Sequence, residues 1–270
     1  MTEHSMTDSL VDRAAALVAA AKNAGADAAD AVVVSGQSLG VDVRLGKVEE
    51  TGRSESDGFS LRVFVGKRSA AVSAGDTGAV SALAERAVAM AKVAPEDPYA
   101  GLAEPARLAK SFPDLDLYDP SVLDAASLAE RARATEEAGL AVAGVTNSGG
   151  ASAGWGVGGM VLVTSDGFCG FYRSSSFSTS LSVVAGEGTL MERDYDYDSK
   201  RFLSDLRDPA DIGKAAGERA VKRLNPRKIN SQGLSVLYDP RVSVSLLGHL
   251  ASAINGASIA RKTSFLRDDR

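Results

Sequence analysis

The sequence predicts an α+β protein: a helix-flanked antiparallel sheet domain, a Gly/Ser-rich mixed second domain, and the start of a third α+β domain. Three observations lead there. Helical apolar spacing and valine-rich alternating stretches fall in separate blocks, not in the regular βαβ succession of a parallel sheet. A proline-rich stretch, Val93 to Pro120, holds five of the eight prolines and parts two of these blocks. A further block opens near residue 229 with a strand-like run and a helix. The expected organisation is an N-terminal α+β domain over 1–94, a linker over 95–120, a middle domain over 121–228, and an incomplete C-terminal domain over 229–270.

The first helix is expected in "TDSLVDRAAALVAAAKNAGA", where Leu10, Ala14, Leu17, Val18 and Ala21 share a face and Gly25 closes the run. The stretch from Asp27 to Asp76 alternates in "GVDVRLGKVEE" and "FSLRVFVG", with Gly/Ser segments read as turns, which predicts a meander of about four strands. A second helix, Thr77 to Lys92, places Val80, Leu83, Ala84, Ala87, Val88 and Ala91 on one side. Both helices can then cover one sheet face. After the linker come a helix over Ser121 to Ala138, a Gly/Ser-rich run of short strands over Leu140 to Leu190, and a helix over Asp208 to Leu224. A strand, "GLSVLYDP", then leads into "LLGHLASAINGASIARKTSFL". On that helix Leu246, Leu247, Leu250, Ala251 and Ile254 form the face expected to dock on a core, and His249 and Ser252 lie on a smoother side of small residues.

Composition narrows the function. The 270 residues are 44% hydrophobic, enough for a folded core. Thirty-five acidic against 30 basic residues give a net charge of −5, and the only basic run is "KRLNPRK", so nucleic acid and anionic membranes are poor partners. The apolar run "AAALVAAA" is too short to span a bilayer, and the first residues lack a cationic apolar leader, so a cytoplasmic location is expected. The single cysteine, Cys169, excludes an internal disulfide. Its strand-like setting between Phe168 and Gly170 predicts buried packing.

Four motifs suggest chemistry. "GQSLG", Gly36 to Gly40, fits the G-x-S-x-G nucleophile elbow, but Ser38 is followed by strand-like sequence where the elbow needs a helix, so a hairpin turn is expected. His4, in a terminus expected to fray, is no convincing base for it. "GWGVGG", Gly154 to Gly159, fits G-x-G-x-x-G, yet "MVLVTS" follows, and glycines inside strands mark bulges or close approach. Asp194, Asp196, Asp198 and Asp205 match calcium-loop positions, but Ser199 stands where glycine is needed, so a solvated acidic turn is the reading. His249 has neither a second histidine nor a glutamate between Arg241 and Arg270, whereas catalytic zinc takes about three protein ligands. It reads as a packing or hydrogen-bonding residue.

Several long stretches together resemble the TldD/PmbA family, in its PmbA (TldE) branch once called modulators of DNA gyrase. They are "SDGFSLRVFVGKRSAAVSAGD", "TNSGGAS", "SLSVVAGEGTLMERDYDYDSKR" and "YDPRVSVSLLGHLASAINGASIARKTSFL". The resemblance implies an α+β protein that pairs with a TldD-type subunit in a zinc metallopeptidase acting on small or unfolded peptides. The TldD branch carries H-E-x-x-x-H on the matching helix. Here Gly248, His249 and Ala253 stand at its three metal-site positions, which implies no catalytic or metal-ligating residue in this chain and zinc in the partner. His249, Ser252, Asn255 and Arg261 are then candidates for contact with the partner or a peptide. In "RDYxY", where the family often has an aromatic residue, this chain has Asp196. Family members continue past the equivalent of Arg270, hence the expectation of an incomplete third domain. The functional expectation is a non-catalytic subunit of a TldD/TldE-type peptidase. The alternatives are a regulatory binding protein of the gyrase-modulator type and an inert truncated remnant.

Overall fold

A computed structural model describes residues 3–75 and 79–268. Six antiparallel strands form one sheet in the order β3-β2-β1-β4-β5-β6, so the α+β class is what the chain adopts. The strands are β1 (Ala28–Arg44), β2 (Lys47–Val65), β3 (Arg68–Ala74), β4 (Val145–Thr164), β5 (Cys169–Ala185) and β6 (Glu192–Lys200). Segments 1–94 and 121–228 thus supply three strands each to a single sheet, joined where β1 pairs with β4 from Asp30↔Thr164 to Val43↔Ala151. The contacts divide the chain into two compact units, residues 1–225 and 226–270.

Strand length is the main departure from the sequence expectation. Three strands, not about four, fill Ala28 to Ala74, and two strands of 20 and 17 residues replace the run of short ones. The segments read as turns lie within strands. Gly36 pairs with Ser56 and Gly158, and Gly40 pairs with Gly52 and Gly154, so small residues meet small residues across three strands. Glycine weakens an isolated strand, but here it removes side chains where neighbouring backbones come close. A Cβ on Gly154 would stand 3.1 Å from the Leu39 carbonyl oxygen.

Alternation places every second residue on a helix-covered face. At one end Ala29, Ala31 and Val33 of β1, with Leu61 and Val63 of β2, pack under α1 (Glu3–Asn23) and α2 (Val80–Val93). Both helices cover one face, as expected. His4 lies on the α1 backbone, with its side chain outside the described residues, and the expected start of α2 at Thr77 falls outside them too. At the other end Val41 and Val43 of β1, with Leu181 and Val183 of β5, pack under α3 (Ala125–Leu140) and α4 (Pro209–Lys222). Asp124 and Asp208 cap these helices, accepting hydrogen bonds from the Ser127 and Ala210 amides, both at 2.8 Å. Glycines let α3 and α4 touch closely, since a Cβ on Gly213 would lie 2.1 Å from the Thr135 carbonyl oxygen.

Residues 226–270 hold α5 (Pro240–Ala253) and α6 (Gly256–Ala260). The expected strand "GLSVLYDP" is absent among the described residues; Gly233 to Asp239 is exposed, irregular chain leading to an Asp239 cap. A strand needs an edge to pair with, and none is adjacent within this unit.

Candidate functional site

The helix singled out by the sequence begins at an Asp-Pro pair. Asp239 accepts a hydrogen bond from the Arg241 amide at 2.9 Å, and Pro240 occupies the first helical turn, where its missing N–H costs nothing. Asn255 ends the bend after α5 by capping α6, its Oδ1 accepting from the Ala257 amide at 2.9 Å. Ser264 returns against α5, its hydroxyl donating to the Ala253 carbonyl at 2.6 Å.

Burial on α5 reverses the expectation. Leu246, Leu247, Leu250 and Ile254 are 47–69% exposed, whereas Ala253 is buried. Two short helices and one return segment provide no second layer among residues 226–270 for that apolar face, so it does not dock on a core there. His249, read as a packing or hydrogen-bonding residue, is exposed and so does not pack in a core, and Gly248, Ser252, Asn255 and Arg261 are exposed as well. Gly248, His249 and Ala253, the positions expected to stand against H-E-x-x-x-H, offer one glycine without a side chain, one exposed imidazole and one buried methyl group. That donor set does not fit a zinc ion, which needs about three protein ligands.

The other motifs settle inside the sheet. Ser38 lies mid-β1 beside Ser54 and Gly156, neither of which is a base. Gly154 to Gly159 lie within β4, with no helix N-terminus to receive a phosphate. Cys169, expected buried, is exposed at the first position of β5, where the sheet edge begins.

The acidic run is not a solvated turn. Asp194, Asp196 and Asp198 belong to β6, where alternation sends Asp194 and Asp196 inward and Tyr195 and Tyr197 outward, while Asp205 lies exposed in the turn that follows. Asp196 is 4% exposed and paired with Arg207 at 2.9 Å and with Arg219 of α4. Asp194 meets Arg223 at 3.4 Å. Two buried carboxylates on one strand face thus lock β6 to α4. The aspartates stand two apart on β6 and the arginines four apart at the end of α4, Arg219 within it and Arg223 as its cap, a match that only the packing of β6 on α4 reveals.

Between the two apolar cores the helix-side face turns polar. Ser35, Gln37, Glu55 and Asp57 floor a depression of about 420 Å³. A hydrogen bond from the Ser35 hydroxyl, reinforced by the Arg13 guanidinium at 3.1 Å, holds the Asp57 carboxyl below the usual range despite partial desolvation.

Two stretches match models of the same family. Residues 29–91 match "PmbA/TldA metallopeptidase domain 1" and residues 118–224 match "PmbA/TldA metallopeptidase central domain", together more than half the chain. The chain belongs to the PmbA/TldD family. Metalloprotease PmbA homolog of Haemophilus influenzae is 34% identical over 252 residues, covering 92% of this chain and 55% of that protein. Metalloprotease PmbA of Escherichia coli O157:H7 is 34% identical over 245 residues, covering 90% and 54%. The chain thus spans about half the length of the curated relatives it matches. Among solved structures, a candidate modulator of DNA gyrase from Bacteroides thetaiotaomicron aligns with a TM-score of 0.87 at 27% identity, over 95% of this chain and 60% of that one. TldE from Thermococcus kodakarensis aligns at 0.70 and 18% identity, over 93% and 57%, and shows the shared PmbA/TldD fold. No helix among the described residues is long and apolar enough to cross a membrane.

Proposed function

We propose that this chain is the non-catalytic subunit of a zinc metallopeptidase complex, paired with a TldD-type subunit that carries the metal and acts on small, unfolded peptides. What supports the reading is the sequence of α5, where the resemblance sets Gly248, His249 and Ala253 against H-E-x-x-x-H of the TldD branch. Without a glutamate there is no carboxylate base on this helix, and without paired histidines no ligand set.

The test uses three samples: the chain alone, a TldD-type partner alone, and their equimolar mixture. Each is assayed for zinc content and for hydrolysis of an unstructured peptide. The expected outcome is no stoichiometric zinc in the chain alone and peptide cleavage that rises on mixing. Equimolar zinc with hydrolysis in the pure chain, or no effect of the chain on its partner, overturns the proposal.

A further inference from the structure

The segment connecting α2 to α3 makes a feature on which the subunit reading does not draw. It runs beside β5 and is fixed at both ends. At one end Phe112 packs edge-on against Phe168, with ring centroids 6.0 Å apart. At the other the Leu117 carbonyl accepts a hydrogen bond from the Ser175 amide at 3.0 Å, and Tyr118 lies 3.6 Å beneath the Arg173 guanidinium. Between these points its residues 112–118 and the strands together line an open cleft of about 990 Å³. Met160 and Leu162 of β4 and Tyr172 of β5 line it. Its apolar rim is in water, with Phe112, Leu115 and Phe171 each more than half exposed. Gly170 keeps the floor open: a Cβ there would stand 3.0 Å from the Phe168 ring.

The sheet edge beside this cleft is incomplete. β6 pairs with β5 only from Phe177 to Ala185. Ser175, next along the outer edge, is satisfied by Leu117 and by Arg201, which donates to its carbonyl at 3.0 Å. Strand alternation turns the backbone N–H and C=O of Phe171 to the same outer side, and among the described residues they have no backbone partner. An unpaired edge beside an apolar cleft is complementary to an extended chain, whose backbone completes the ladder and whose alternate side chains enter the cleft. Asp114 and Asp116, also lining the cleft, outnumber its one cation, Arg173, whose guanidinium is stacked on Tyr118, and favour positive charge in the occupant.

We infer that this cleft binds an extended peptide segment with bulky apolar side chains and flanking basic residues, added as a strand at Phe171. The inference rests on the peptide-handling role proposed above for its biological meaning, but the binding itself requires neither partner nor metal.

The experiment titrates the isolated full chain with a fluorescein-labelled octapeptide of alternating leucine and serine, with a lysine at each end, read by anisotropy. Saturable binding is expected, weakened about tenfold or more when the leucines become serine, and weakened also when the lysines become glutamate. Phe171→Pro removes the outward N–H and leaves the β4 pairing intact, because that amide points away from β4. It and Phe112→Ser should each weaken binding about tenfold. In the unsubstituted chain, hydrogen exchange over residues 169–174 should slow when peptide is added, a readout independent of how the variants fold. No saturable binding, equal binding of the serine peptide, or unchanged exchange over 169–174 overturns the inference. Peptide binding without activation of a TldD-type partner sinks the subunit proposal alone. Activation without peptide binding sinks this one alone.

Discussion

The carboxylate of Glu136, buried on α3, accepts a hydrogen bond from the Gly46 amide at 2.7 Å and a second from the Leu45 amide at 2.8 Å. These two residues form the β1–β2 turn, both with positive φ, the two-residue geometry that matches strand twist. One side chain from the middle of the chain thus fixes the tip of the first hairpin, 90 residues earlier. Glu136→Gln keeps the shape but turns an NH2 group toward one of the two amides. Urea denaturation is expected to show a loss of about 2 kcal/mol, the usual cost of a spoiled buried charged hydrogen bond.

Asp196 sits between two arginines on different elements, so its removal should loosen β6 from α4. Asp196→Asn is expected to cost about 2 kcal/mol in thermal or urea unfolding, because Arg207 and Arg219 are partly exposed and recover some hydration. Both oxygens of Asp196 are already engaged. Added calcium should therefore leave the melting temperature unchanged, and a clear rise on adding it would show that the aspartates bind the ion.

Gly213 and Gly248 offer a matched pair of helical glycines. A methyl group at 213 would collide with the backbone of Thr135 and Gly139, whereas one at 248 meets nothing within 4 Å. Gly248→Ala should stabilise by up to about 1 kcal/mol through helix propensity. Gly213→Ala gains the same propensity but forces α3 and α4 apart, and should lose about 2 kcal/mol net. Equal effects at the two sites, measured by urea titration, would contradict the close crossing of α3 and α4.

Much of this was legible in the sequence where the signal is local. The helix expected over Asp208 to Leu224 is observed at Pro209–Lys222, because Asp-Pro specifies both a cap and a first turn. What was not legible depends on neighbours distant in sequence. Gly36 to Gly40 has turn-like composition, and only its pairing with Gly154 to Gly158, glycines already read as strand residues in close approach, makes it strand interior. The aspartates of β6 read as solvated until Arg207 and Arg219 are placed against them. On α5 the apolar stripe was clear, but a stripe tells which face seeks burial and not whether a covering layer is at hand.

Acid should unfold the protein earlier than its apolar cores alone would dictate, and Asp119 is the residue to watch. It is buried where the connecting segment meets the chain after β6. The Ser121 hydroxyl, then the Leu203 amide, then the Ser121 amide hold its carboxyl below the usual range. Asp57 is lowered in the same direction by Ser35 and Arg13. A carboxyl whose folded pKa lies below its unfolded value adds stability that is complete above the unfolded value near 4 and is lost as pH falls through the lower folded value. Stability measured by urea titration should therefore be flat from neutral pH down to about 5, then decline steeply below about 4. Asp119→Asn cannot ionise, so it should be less stable at neutral pH and show a shallower decline in acid. Parallel acid limbs for the two proteins would mean that Asp119 contributes no proton-linked stability.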